Sequence, residues 1–188
     1  SHASMPIGAY SEKHIMPENK LVPVPDGVSD EVASCVTLKG ITAEYLLHRA
    51  YPLKKGDKVL YHAAAGALGQ ILCPWANSIG AEIIGTVGSK EKEGVAKKNG
   101  CHHVINYTDK DFVEEVEKIV GKNGIDVVYD GVGLKTFEGS IEVLKIRGMM
   151  VAFGNASGYV DTIDVKKHIN AKGLFFTRPS ISQYTIER

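Results

Sequence analysis

Long apolar runs, cysteine motifs and an excess of charge of either sign are all missing from this 188-residue sequence. No stretch approaches the ~20 apolar residues that cross a bilayer, and no signal-peptide pattern is visible, so membrane association is not expected. Lys and Arg number 22 against 22 Asp and Glu, a formal net charge of zero. That balance removes the broad electrostatic grip of proteins that hold nucleic acid or anionic lipid, so a nucleic-acid partner is not expected. The three cysteines, Cys35, Cys73 and Cys101, lie far apart and form no CxxC pair. They give neither a disulfide framework nor a structural metal knuckle, and they read as small core residues in a reducing, cytoplasmic compartment. Hydrophobic residues at 44% and charged residues at 23% mark a folded chain rather than a disordered one. The length suits one domain of ~150 residues with a small appendage. Glycine is what the sequence has in quantity: 20 residues, several just after apolar runs, where a chain turns tightly.

Ser1–Met5 reads as a tag remnant and is set aside. Residues 6–28 carry Pro6, Pro17, Pro23 and Pro25 in a polar context, which predicts an extended arm. Ser29-Asp30-Glu31 then caps a helix through about Leu38, and a second helix is expected from Thr42 to Arg49, ended by Pro52. From Asp57 onward short apolar runs alternate with helical stretches. Strands are expected at 58–63, 81–87, 103–106, 125–129, 149–153 and 173–177, and helices at 68–79, 90–99, 109–120 and 136–144. In the helix at 109–120, Phe112, Val113, Val116, Ile119 and Val120 line one face, as a helix laid on a sheet requires. Strands separated by helices of this length pair in parallel through right-handed crossovers. The fold class is therefore α/β, a Rossmann-type doubly wound six-stranded parallel sheet with helices on both faces, filling residues 29–188.

The first strand runs into Ala63-Ala64-Ala65-Gly66-Ala67-Leu68-Gly69. Against the dinucleotide pattern GxGxxG, positions 64, 66 and 69 read Ala, Gly, Gly. Small residues are needed there because backbone must approach a pyrophosphate closely, and the helix that follows offers unpaired N–H groups and a positive dipole end. An acidic residue about 20 positions further on would accept from the ribose 2′-hydroxyl of NAD; here that place holds Gly88-Ser89, with Lys90 and Lys92 just beyond. Serine and lysine suit a 2′-phosphate, so NADPH is the expected cofactor. The bland alternative makes Ser89 a helix cap and the lysines a solvated face diluted by Glu91 and Glu93.

Other patterns carry no chemistry. Tyr51-Pro52-Leu53-Lys54-Lys55 spells the YxxxK of short-chain reductases, but it precedes the glycine turn and contains a proline, so its Tyr and Lys cannot share a helix face. His62, His102 and His103 have no partners at ligand spacing, and no metal site is expected. GxSxG, HExxH and GxxxxGK[ST] are all missing, which sets aside hydrolase, metalloprotease and P-loop readings. A methyltransferase would have a more acidic first strand and loop.

With these residues in view, the chain resembles the quinone oxidoreductase (zeta-crystallin-like) branch of the medium-chain dehydrogenases/reductases. The resemblance rests on Gly8-Ala9-Tyr10-Ser11-Glu12, Leu38-Lys39-Gly40-Ile41-Thr42-Ala43, the AAAGALG turn, Gly85-Thr86-Val87-Gly88, Val104-Ile105-Asn106-Tyr107, Tyr129-Asp130-Gly131-Val132-Gly133, Phe153-Gly154-Asn155-Ala156-Ser157-Gly158 and Thr177-Arg178-Pro179, in family order across residues 8–188. It implies hydride transfer from NADPH to quinones or activated enones without zinc. It also implies that Gly66, Ala67 and Leu68 lie along the pyrophosphate and that Gly88, Ser89, Lys92 and Tyr107 meet the adenosine ribose phosphate. Thr42, Val132, Phe153, Gly154 and Asn155 would stand near the nicotinamide.

The family usually has a second glycine where Ala67 stands, so the approach to phosphate is expected to be more crowded here. The resemblance also implies a GroES-like catalytic domain largely outside this chain, with residues 6–28 as its end; the chain alone is then expected to be nearly inactive. No catalytic residue is nominated. Family members dimerise by extending the sheet through the last strand, and Leu174-Phe175-Phe176 is the expected homodimer edge. The alternative function is a non-catalytic nucleotide-binding module, a redox sensor or a structural, crystallin-like protein.

Overall fold

The computed structural model describes residues 8, 10–18 and 21–185; the expected tag remnant at 1–5 lies outside them. Six strands form one parallel sheet: β1 (Lys58–Tyr61), β2 (Glu82–Val87), β3 (His103–Asn106), β4 (Ile125–Asp130), β5 (Leu144–Ala152) and β6 (Phe175–Thr177). Their order is β3-β2-β1-β4-β5-β6. The chain winds outward from β1 in one direction, returns beside it, and winds outward in the other. The expected doubly wound sheet is therefore borne out, with its reversal of order between β1 and β4.

The strands are apolar on both faces, as strands covered on both sides must be. Val59, Tyr61, Ile83, Val127, Tyr129 and Val151 point to one core, where they meet Leu46, Leu47, Leu72 and Ala76. Their neighbours Leu60, Ile84, Val128 and Met150 point to the other, where they meet Val116, Phe137 and Ile141. The first layer is built by α1 (Asp30–Glu44) and α2 (Gly69–Ile79) with help from α3 (Lys90–Lys98); the second by α4 (Phe112–Val120) and α5 (Phe137–Val143).

Several boundaries differ from the sequence reading. The two short helices expected before Pro52 are one: α1 runs unbroken past Gly40 and passes into a π-helical segment, Tyr45–Ala50. Thr42 Oγ1 donates back to the carbonyl of Leu38, 2.7 Å away, so the residue expected to open a new helix is instead spliced into the old one. The expected N-terminus holds, with Ser29 Oγ accepting from Val32 N at 3.3 Å. Helix α4 starts three residues later than expected because Asp111 caps it, accepting from the N–H groups of Val113 and Glu114. Strand β5 reaches back to Leu144 through an irregularity: Ile125 pairs Leu144, whereas Val127 pairs Met149. Arg147 sits there at φ 60°, and its N–H donates to Lys172 O. A second π-helical segment, Val165–Asn170, and the short α6 (Ile181–Tyr184) with its Ser180/Gln183 capping box carry no pattern that sequence periodicity detects. At the amino ends of the strands, the turn 121–124 joins α4 to β4 with Gly121 and Asn123 both at positive φ.

Candidate functional site

Because every strand is parallel, all six carboxyl ends face the same rim, and nearly every residue predicted for the site lies there. The turn after β1 carries Gly66, Ala67 and Leu68. The end of β2 carries Gly88, Ser89 and Lys92, and the end of β3 carries Tyr107. The turns after β4 and β5 carry Val132 and Phe153-Gly154-Asn155. Lys92 stands in the first turn of α3, and Thr42 arrives from α1, half-buried, with no hydrogen bond joining it to the others among the described residues. The two central turns flank the β1/β4 switch point, where open α/β sheets bind ligands.

Close packing explains the small residues of the first turn. A Cβ on Gly69 would lie 2.3 Å from the carbonyl oxygen of Ala64, so only glycine lets α2 start this close to β1. Ala64, at the pattern's first glycine position, is fully buried, and the room for its methyl comes from the neighbouring strand: a Cβ on Gly85 would lie 2.6 Å from it. Ala64 N donates to Thr86 O at 2.9 Å, tying the turn to β2. Ala63 takes φ 61°, the left-handed conformation that completes the bend. No carbonyl among the described residues accepts from the N–H groups of Ala67, Leu68 and Gly69. Those orphan donors, at the N-terminus of an 11-residue helix, are what a diphosphate would satisfy. Ala67 does not need a glycine, since its φ is not positive.

At the neighbouring position the Tyr107 hydroxyl lies over the end of β2, where a Cβ on Gly88 would meet it at 2.6 Å. Tyr107 is 44% exposed, so its ring forms an open wall. Lys90 and Lys92 are exposed and enter no ion pair among the described residues. The Ser89 hydroxyl beside it and the backbone at the helix start hold the Glu91 carboxyl below its usual range.

The β4 and β5 turns are laced backbone to backbone. Ala156 N donates to Gly131 O, and Ser157 N donates to Val132 O at 2.8 Å. Phe153 stacks on Tyr61 with ring centres 6.3 Å apart. Beside Asn155 a cavity of about 260 Å³ opens, walled by Phe137, Met150, Phe176 and Arg178. A buried polar network beneath the rim escaped sequence reasoning: Thr86, His62, Ser140, Asp130 and Thr136, all buried. The sequence gives His62 no partners at metal-ligand spacing, and the structure gives it two hydrogen-bond partners. These missed partners are Thr86 on the next strand and Ser140 on α5; Ser140 in turn lies 3.3 Å from Asp130, directly before Gly131-Val132-Gly133, where a carboxylate accepts from the following N–H groups.

A parallel sheet of this order, with a glycine-containing turn and orphan N–H groups at its switch point, defines the Rossmann class of dinucleotide-binding-type domains. A sequence model of the zinc-binding dehydrogenase family matches residues 67–187, and the chain belongs to that family. Among curated relatives, the 2-haloacrylate reductase of a Burkholderia species is 47% identical over 186 residues, covering 97% of this chain and 56% of that protein. Quinone oxidoreductase 1 of Escherichia coli is 43% identical over 188 residues, covering 100% of this chain and 57% of that protein. The crystal structure of Escherichia coli quinone oxidoreductase complexed with NADPH superposes with a TM-score of 0.84 at 44% identity, over 88% of this chain and 51% of that one. The resemblance to the quinone oxidoreductase branch, in its cofactor-binding half, is thus borne out. The chain spans little more than half the length of the curated relatives it matches. Although the family's description names zinc, no three His, Cys, Asp or Glu side chains among the described residues are placed to hold a metal ion.

Proposed function

We propose that residues 29–188 are the NADPH-binding domain of a zinc-independent reductase that delivers hydride to quinones or activated enones, and that residues 6–28 are the end of its catalytic domain. The observation that carries this reading is the rim itself. Three N–H groups of the Gly66–Gly69 turn have no backbone acceptor among the described residues, and the adjoining β2 end offers Ser89, Lys92 and the Tyr107 hydroxyl where an NAD site would present a carboxylate. NADPH, when bound, supplies the hydride. The chain's own part is to bind the diphosphate at Gly66, Ala67 and Leu68 and the 2′-phosphate at Gly88, Ser89, Lys92 and Tyr107. Thr42, Val132, Phe153, Gly154 and Asn155 fix the nicotinamide end, so catalysis rests on proximity and orientation. The named relatives, quinone oxidoreductases and a 2-haloacrylate reductase, share an electron-poor conjugated acceptor, which supports that substrate class. A second copy of the chain would pair along β6, the last strand of the sheet.

The test is calorimetric titration of the 188-residue chain with NADPH and with NADH, repeated on Lys92→Glu. NADPH is expected to bind at least tenfold more tightly than NADH, an advantage of about 1.4 kcal/mol that Lys92→Glu removes. Equal affinities would overturn the 2′-phosphate assignment.

A further inference from the structure

The buried network beneath the rim has a direction. Asp130 is fully buried; one oxygen of its carboxylate accepts from Val132 N at 2.7 Å and Gly133 N at 2.9 Å, and the other accepts from Thr136 Oγ1 at 2.7 Å and lies 3.3 Å from Ser140 Oγ. Ser140 Oγ also lies 2.7 Å from Thr136 O. Both of these partners are acceptors, so the single Ser140 proton goes to one of them, and its oxygen is left to accept from His62 Nε2, 3.0 Å away. With Nε2 protonated, the neutral imidazole presents the Nδ1 lone pair to Thr86 Oγ1, 2.9 Å away, which must then donate. Phe112 packs edge-on against the imidazole, and no water-facing atom offers any of these groups an alternative partner, because Thr86, His62, Ser140 and Asp130 are all fully buried. The bonds therefore run from β2, through the residue after β1, to Ser140 on α5, and from there to the carboxylate that shapes the turn after β4, either directly or through Thr136, whose hydroxyl donates to that carboxylate.

We infer that Thr86, His62, Ser140 and Asp130 are positioning residues: a hydrogen-bonded chain through which β2 sets the Gly131-Val132-Gly133 turn, and with it the nicotinamide half of the bound cofactor. This rests on the NADPH reading above. Its consequence is that a change at Thr86, on the strand that ends at the adenosine half, is felt at the opposite half. Thr86 Oγ1 makes no bond toward the rim among the described residues, and the backbone tie from Ala64 N to Thr86 O survives any side-chain change.

The experiment compares NADPH with 2′,5′-ADP, which carries the adenosine half and its 2′-phosphate alone, on the wild-type chain, Thr86→Val and Thr86→Ser, by calorimetry. Thr86→Val keeps the shape of the side chain and deletes the donor. It is expected to weaken NADPH roughly tenfold, the effect of one lost bond to a buried group, and to leave 2′,5′-ADP unchanged; Thr86→Ser recovers most of the NADPH affinity. Equal weakening of both ligands would make Thr86 a local adenosine-side residue and overturn the inference, as would no change in either. Should Thr86→Val lose its fold by circular dichroism, Ser140→Ala cuts the chain on the other side of the imidazole and must show the same selective loss. A wild-type chain that binds neither ligand sinks the NADPH reading itself, and the positioning role falls with it; binding by the wild type with an unselective variant sinks only the positioning role.

Discussion

Gly85 has no side chain because its place is taken. Any Cβ there would sit 2.6 Å from the methyl of Ala64 and 2.8 Å from Cys101 Sγ, so Gly85→Ala forces the turn after β1 off β2. The expected loss is about 1–3 kcal/mol, the range for overpacking a filled core, read as a lower urea midpoint. His62 makes stability depend on pH. Burial holds its imidazole below the ordinary histidine range, and the nearby Asp130 carboxylate only partly opposes that. Thr86, Ser140 and Phe112, its other neighbours, carry no charge. The unfolded chain therefore takes up the proton first as pH falls. Stability is full above the unfolded value of about 6.5 and is lost progressively below it. Urea midpoints measured from pH 8 to pH 5 should fall along that course, and His62→Gln should flatten it.

At the scale of elements, the last strand is exposed where a sheet is least protected. β6 has three residues and, among the described residues, pairs only with β5; Phe175 is 56% exposed. If two copies join there, Phe175→Lys should move the protein from dimer to monomer in light scattering while leaving the circular dichroism spectrum unchanged. This edge was legible in the sequence, as were all six strands, because buried parallel strands write themselves as Val/Ile/Leu runs between turns. The site was legible where chemistry restricts side-chain size: Gly66, Gly69 and Gly88 stand out in any reading. It was not legible where a role depends on a partner far along the chain. His62 and Ser140 are 78 positions apart, and the room that Gly85 leaves for Ala64 crosses two strands. The continuous helix α1 escaped for the opposite reason: a local glycine and threonine look like a break, and only the Thr42 bond back to Leu38 shows that they are not.

At the scale of the whole molecule, ligand affinity and stability are one quantity read two ways. NADPH at a hundred times its dissociation constant should add about 2.7 kcal/mol, which for a chain of this length raises the melting temperature by roughly 5–10 °C. NADH at the same concentration should raise it less, and differential scanning fluorimetry across a dilution series would separate the two. The parallel sheet also divides the surface by purpose. Every residue assigned to the nucleotide, Thr42 apart, follows the carboxyl end of a strand, so the amino-end turns carry none of that work. The turn 121–124, where Gly121 and Asn123 already bend the backbone the other way, is therefore a place to open the chain. New termini cut there, or a fluorescent reporter spliced in, would stand at the far pole from the nucleotide and leave its grip untouched.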